Sequence, residues 1–250
     1  MAVKDQIKQA ADLILNSRYC VVLTGAGIST ESGIPDFRSA GTGLWETVDP
    51  MEALSTRTLT RNPEVLYNLC FKMYEAGEAA HPNTAHEVLA KLQEKGLVKT
   101  IITQNIDNLH QKAGSTGVLE IHGSLQLGVC RKCGKKEPML NLINKVRKES
   151  QLPPLCQCGG VLKPDITLFG ESLPNDFILA QHEASGADLM IVIGSSLIVS
   201  PANYLPNLCP NLIIINKGET HCDPLAKIVI HEKAGPTMEQ IWQEVEEKLG

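Results

Sequence analysis

Apolar residues recur along this chain in short blocks that switch between two periods. Val3, Ile7, Ala10 and Ile14 fall at helical spacing, so residues 2–16 read as an amphipathic helix. Cys20 to Thr24 is a continuous apolar run, too short for a helix, and reads as a buried strand. Thr84 with Glu87 three positions on has the form of a capping box, and Gly96 marks the far end of that second helix. The strand-like run from Val98 to Thr103 follows directly. Further apolar strands are expected at Leu189–Ile193, Leu212–Ile215 and Ile228–Ile230. A last helix reads as opening at Thr237 and Gln240, another capping box, with Ile241, Val245 and Leu249 on one face.

Short apolar runs alternating with helices predict an α/β fold, a Rossmann-like parallel sheet with helices on both faces. The segments that follow the strands are the informative ones. Thr24 leads into Gly25-Ala26-Gly27, Thr103 into Gln104-Asn105-Ile106-Asp107, Ile193 into Gly194-Ser195-Ser196, and Ile215 into Asn216-Lys217-Gly218. Ligands of open parallel sheets bind beyond the carboxyl ends of the strands, so these four segments predict one shared crevice.

Two stretches interrupt the alternation. Residues 39–82 have a turn-rich start (Gly41, Gly43, Pro50) and a helical second half around Val65 to Tyr74, and residues 124–163 hold clustered cysteines. The expected division gives residues 1–38, 83–123 and 164–250 to a larger domain. Residues 39–82 and 124–163 then form a smaller one, built from a helical module and a metal-binding module.

Composition narrows this picture. The chain has 250 residues, 20% of them charged, and a net charge of -5, which leaves no electrostatic footprint for nucleic acid. The strip Lys132, Lys135, Lys136, Lys145, Arg147 and Lys148 reads as a solvated face. No apolar run approaches the roughly 20 residues a membrane helix needs. Charges throughout the first 16 residues make cytoplasmic residence the expectation.

Eight cysteines in such a chain read as thiols and metal ligands more readily than as a disulfide framework. Cys130-Arg-Lys-Cys133, then 22 residues, then Cys156-Gln-Cys158 has the spacing of a four-thiolate zinc site. Four thiolates leave no open position for a substrate, so the metal is expected to be structural. The second pair is one residue tighter than the usual CxxC, which bears on its geometry. Cys20, Cys70, Cys209 and Cys222 are scattered and read as buried structural residues.

Gly25-Ala-Gly27-Ile-Ser29, between a strand and an expected helix, suits a phosphate-binding turn and equally a purely structural tight turn. The dehydrogenase fingerprint wants an acidic strand end about 20 residues later, and none is found there. The longer run Gly25-Ala-Gly-Ile-Ser-Thr-Glu-Ser-Gly-Ile-Pro-Asp-Phe-Arg38 closely resembles the signature of the sirtuin family. Thr103-Gln-Asn-Ile-Asp-Asn-Leu-His110, Glu120-Ile-His-Gly123, Gly194-Ser-Ser-Leu197 and Asn216 resemble its later motifs, in order and over nearly the whole chain.

That resemblance implies an NAD-dependent protein lysine deacetylase that consumes NAD, giving free lysine, nicotinamide and O-acetyl-ADP-ribose. It implies His122 as catalytic base, with Asn105 and Asp107 lining a nicotinamide pocket. Gly25, Ala26, Gly27, Ser29, Asp36, Phe37, Arg38, Gln104, Gly194, Ser195, Ser196, Asn216, Gly218 and Ala234 would contact NAD. Asp165 to Glu171 matches the family strand that pairs with an acetyl-lysine peptide, with Ile166, Phe169, Gly170 and Glu171 at the substrate. The other six histidines match no such motif and read as structural. Ser200 stands where relatives often carry an aromatic. Cys70 and Met73 stand where family members that prefer acidic acyl groups carry a Tyr-x-x-Arg pair, which favours an acetyl or a longer apolar acyl group. A protein ADP-ribosyltransferase on the same scaffold is the rival reading.

Overall fold

The computed structural model describes residues 2–36 and 49–250. Among these residues the strands are β1 (Cys20–Thr24), β2 (Val98–Thr103), β3 (Val118–Glu120), β4 (Gly123–Cys130), β5 (Lys136–Pro138), β6 (Leu162–Ile166), β7 (Leu189–Ile193), β8 (Leu212–Ile215) and β9 (Ile228–Ile230). Six of them form one sheet in the order β3-β2-β1-β7-β8-β9, and every pairing in it is parallel. The strand sequence therefore runs outward from β1 to one edge and outward from β7 to the other. This is the doubly wound order, and its reversal between β1 and β7 opens a crevice at their carboxyl ends.

Every residue of β1, β7 and β8 is buried, which is why these strands read as unbroken apolar runs. One face of the sheet packs against helices Val3–Asn16, Thr84–Glu94 and Ala234–Leu249, through residues such as Ile14, Leu89 and Trp242. The other face packs against helix Asn175–Gly186 and the 3-10 segment Ala202–Leu208, through Ala180, Ala184 and Leu205. A third cluster stands apart from both. In it the antiparallel sheet β5-β4-β6 packs with helices Pro63–Ala79 and Met139–Arg147 around Tyr67, Phe71 and Leu142.

The passage between the two sheets is short. β3 ends the large sheet at Glu120, and β4 begins the small one at Gly123. Gly123 has φ +80°, and a Cβ there would lie 2.2 Å from the Asp165 carbonyl oxygen, so only glycine fits the crossing. His122, one residue before it, is thereby held at the junction.

The helix starts differ from the expected ones. Asn83, not Thr84, caps the second helix: its side chain accepts from the Ala85 N–H, while the His86 ring accepts from the Asn83 N–H. The last helix begins at Ala234, three residues ahead of Thr237, which is buried inside its first turn. Pro236 does not block that earlier start, because first-turn N–H groups need no intrahelical partner. Gly96 does terminate its helix in the left-handed conformation, at φ +71°. Among the described residues, no helix is long and apolar enough to cross a membrane.

Candidate active site

At the floor of the crevice the glycines are required by backbone packing. The Gly27 N–H donates to the Gly194 carbonyl at 2.8 Å. A Cβ on Gly25 would meet that carbonyl oxygen at 2.9 Å and one on Gly27 at 2.7 Å. Gly194 itself has φ +62°, and a Cβ there would lie 2.2 Å from the Ile28 nitrogen. The loops after β1 and β7 are thus pressed together without side chains between them. The expected helix after Gly27 is a 3-10 segment, Ala26–Ser32.

Polar groups from β1, β2 and β7 meet above this floor. Gln104 donates through Nε2 to the Ser195 hydroxyl at 2.9 Å, and its N–H donates to the Thr24 carbonyl at 3.0 Å. The Asn105 amide donates to the Gly25 carbonyl at 3.2 Å and to Ser29 Oγ at 3.1 Å. Ser29 in turn donates to Asp107 Oδ2 at 2.6 Å, and the Leu109 N–H donates to Asp107 Oδ1 at 3.0 Å. Burial raises the Asp107 carboxyl above its usual range, and the Ser29 hydrogen bond opposes that rise. Ser29, Asn105 and Asp107 are therefore one hydrogen-bonded network, and Gln104, the residue before Asn105, pairs with Ser195 beside it.

His122 joins the same network through the backbone. Its Nδ1 lies 3.0 Å from the Gln104 carbonyl oxygen. A carbonyl only accepts, so Nδ1 carries the hydrogen and Nε2 of the neutral ring keeps a lone pair. Burial holds this imidazole below its ordinary pKa, while the bond to Gln104 pulls the other way. The neutral, base-competent form therefore prevails at pH 7. The His122 carbonyl accepts from the Thr167 N–H at 2.8 Å, which ties the residue to the end of β6.

The expected peptide-binding segment is only partly open. Ile166 is 3% exposed and packs in the small-sheet core, whereas Phe169 is 39% exposed. The Phe169 N–H donates to the Leu54 carbonyl at 2.8 Å, and its carbonyl accepts from the Thr56 N–H at 3.0 Å. Gly170 has φ +95° and sits against Thr56 Oγ1. Glu171 accepts from the Leu168 N–H and pairs with Lys163 Nζ at 2.9 Å. Lys163 also donates to the Ile166 carbonyl at 2.7 Å. This buried cation lies near enough to Cys70 to oppose the rise that burial imposes on its thiol, to about 12. It was not apparent from sequence, and Glu171 neutralises it.

Asn216, also expected at NAD, donates to the Gly218 carbonyl at 2.8 Å in the turn after β8, and its own carbonyl accepts from His231 Nδ1 at 2.9 Å. Ala234 is buried at the start of the last helix, where the neighbouring Gly235 N–H donates to Glu31 at 3.0 Å. Asp36, Ala26 and Ser196 are half-buried. Phe37 and Arg38 lie outside the described residues.

The four cysteines of the second motif converge. All four Sγ atoms lie within 4.8 Å of one another, with Cys130–Cys158 at 3.5 Å and Cys133–Cys156 at 3.9 Å. Sulfurs on zinc bonds of 2.3 Å at tetrahedral angles stand about 3.8 Å apart, so the donor set fits zinc. Left-handed Gly134 and Gly159 turn the two knuckles, and a Cβ on Gly160 would lie 2.7 Å from Cys130 Sγ. That glycine pair lets the shorter CxC knuckle close. The N–H groups of Cys133 and Lys132 lower the Cys130 thiol, in the direction of the thiolate a metal needs.

One further residue of the site escaped the sequence reading. Gly77, in helix Pro63–Ala79, packs on the Asp107 turn, where a Cβ would meet the Asp107 carbonyl oxygen at 3.3 Å, and its own carbonyl accepts from Lys112 Nζ at 2.7 Å. A lone glycine in a helical pattern carries no local signal of such a role.

The Sir2 family profile matches residues 25–201. An NAD-dependent protein deacetylase 2 of Caldanaerobacter subterraneus subsp. tengcongensis is 52% identical, over 97% of this chain and 97% of its own. An NAD-dependent protein deacetylase of Saccharolobus solfataricus is 40% identical, over 97% and 98%. Among solved structures, a Sir2–p53 peptide–NAD+ complex is 39% identical with a TM-score of 0.85, covering 98% of this chain and 99% of that one. With a matched profile across most of its length and relatives this similar end to end, the chain belongs to the Sir2 family.

Proposed function

We propose that this chain removes acetyl groups from protein lysines at the expense of NAD, giving deacetylated lysine, nicotinamide and O-acetyl-ADP-ribose. The observation that carries the reading is His122, neutral and fixed through Nδ1 to the Gln104 carbonyl, at a crevice where strand order reverses. Relatives similar over nearly their whole length bear the name NAD-dependent protein deacetylase, and solved Sir2 structures at 39% identity include complexes with NAD+ and with an acetylated peptide.

NAD, when bound, supplies an activated ribose carbon from which nicotinamide leaves and to which the acetyl oxygen transfers. The chain's own residues orient and protect that exchange. Asn105, Ser29 and Asp107 hold one another in a fixed array, so a carboxamide entering beside them meets preformed donors and acceptors with little reorganisation. His122 takes a proton from a ribose hydroxyl through Nε2, and its depressed pKa keeps that atom available near neutral pH. The exposed ring of Phe169 suits contact with the aliphatic stem of the lysine. Cys70 is buried and Lys163 is already paired with Glu171, so no free cation stands ready for an acidic acyl group among these residues. Separate cores under the two sheets support the division into a NAD-binding domain and a small domain carrying a structural zinc.

Mass spectrometry of an acetyl-lysine peptide incubated with the protein, with and without NAD, tests the reading. Deacetylation only with NAD, together with nicotinamide and O-acetyl-ADP-ribose, supports it. An intact peptide with ADP-ribose attached to protein favours the transferase instead.

A further inference from the structure

Among the described residues, Lys163 is the only lysine or arginine that is buried, at 8% exposure. It lies on β6, in register with Val129 of β4, and close to the buried thiol of Cys70. A lysine is seldom found in such surroundings unless its charge is fully engaged. An ammonium has three N–H donors and no acceptor. Lys163 Nζ has three acceptors within reach: the Ile166 carbonyl at 2.7 Å, the Glu171 carboxylate at 2.9 Å and the Pro164 carbonyl at 3.3 Å. All three belong to residues 164–171, just downstream in the chain. The side chain therefore folds forward along its own strand, and that segment wraps around the charge.

The wrapped segment faces two ways. Inward, Glu171 Oε2 accepts from the Leu168 N–H at 3.1 Å as well as from Lys163, and the Glu171 N–H donates to the Leu168 carbonyl at 2.9 Å. Outward, the Thr167 N–H donates to the His122 carbonyl at 2.8 Å, and Phe169 bonds through both its backbone groups to Leu54 and Thr56. The residue before the lysine is fixed as well, since the Leu162 carbonyl accepts from the Tyr67 hydroxyl at 2.6 Å. One short segment thus holds His122 by its backbone and presents the exposed ring of Phe169.

We infer that Lys163 and Glu171 form an internal ammonium clamp that sets the shape of residues 164–171, and so places Phe169 for the substrate lysine and His122 for proton transfer. A buried ion pair is a weak source of net stability, whereas its hydrogen bonds are directional and fix one arrangement. Lys163 is a positioning residue: all its donors end on its own chain. Its effect on the peptide rests on the deacetylase reading; the clamp itself does not.

Kinetics with the full-length protein test the positioning role. Lys163→Met keeps the stem and removes the charge. The KM for an acetyl-lysine peptide is expected to rise about tenfold, the scale of one lost charge-assisted hydrogen bond, with a smaller fall in kcat and the KM for NAD little changed. Lys163→Arg restores a cation with donors for the same acceptors and should recover most of the peptide affinity. A merely structural role would lower stability and leave the KM of the folded enzyme where it was. An unchanged peptide KM in folded Lys163→Met, an equal rise for peptide and NAD, or no recovery with arginine overturns the role. Nitrogen-15 NMR of the lysine ammonium groups at pH 7 tests the clamp without activity and without the methionine variant. A slowly exchanging ammonium signal, present in the wild type and absent from Lys163→Arg, is expected; exchange as fast as that of the exposed lysines overturns the clamp. If the wild-type protein deacetylates no peptide, the deacetylase reading fails, and the ammonium signal alone decides the clamp.

Discussion

The two sheets of this molecule are held together by different means. β1, β7 and β8 are buried at every residue, between two helical layers, and pair in continuous parallel ladders. The small sheet has three strands, its β5 is largely exposed, and β4 is buried only intermittently. Such a sheet needs outside support. Helix Pro63–Ala79 supplies part of it, with Tyr67 donating its hydroxyl to the Leu162 carbonyl at 2.6 Å, and the four-sulfur knuckle joins the far ends of β4 and β6. The large sheet thus carries a preorganised polar network on a rigid platform. The small sheet delivers His122 to that network, and its own stability is referred to a metal.

Removing the metal should separate the two regions most sharply. Zinc bound by four thiolates stabilises small domains by about 10–16 kcal/mol at pH 7. Chelation, or Cys156→Ser, is expected to raise amide exchange across β4, β5 and β6 while β1, β7 and β8 stay protected. Deacetylation should fall with it, since Thr167 at the end of β6 holds the His122 carbonyl. Equal loss of protection in both sheets would erase the distinction.

Gly123→Ala attacks the crossing between the sheets. The added methyl meets the Asp165 carbonyl in a left-handed backbone, an expected cost of about 2–4 kcal/mol. Denaturant unfolding should register this, and kcat should drop because the displaced neighbour is His122. A substitution tolerated in both measurements would show that the junction is softer than described.

Acidification should weaken the large-sheet side gradually. His86, His110 and His122 all have folded pKa values below the unfolded 6.5. The unfolded chain therefore binds more protons as pH drops below 6.5, and stability present above that value is lost progressively down to the folded values, about 4 for His86 and about 3 for His110. Each histidine contributes at most about 1.4 kcal/mol per pH unit. Urea midpoints at pH 7.5 and 5.5 measure the slope; a midpoint higher at pH 5.5 would contradict the buried neutral assignment. Smallest of all should be Lys248→Ala, which removes an exposed pair with Asp12 at 2.7 Å and should change stability by no more than about 0.5 kcal/mol.

The same contrast governs what could be read from sequence. β7, β8 and β9 were legible to the residue, because strands buried on both faces leave unbroken apolar runs. β3 and the small sheet left no such trace: β3 is half-buried throughout, β6 contains Lys163 and Pro164, and β5 is three largely exposed residues. Helix starts differ because Asn83 caps one position ahead of Thr84, and the last helix begins at Ala234, ahead of Thr237, with no side-chain cap. In the site, the residues expected after β1, β2 and β7 do meet, since local motifs sit at strand ends that the topology brings together. Gly77 packs on the Asp107 turn and Lys163 lies near Cys70, contacts across long sequence separations that leave no local pattern to find.

The most direct test of the account is His122→Ala, assayed for peptide deacetylation and nicotinamide release beside an unfolding curve. The account predicts a protein of near wild-type stability whose deacetylation falls by about 10²–10⁴. A folded variant that deacetylates at the wild-type rate would remove His122 from the chemistry, and with it the reading of the crevice built around that residue.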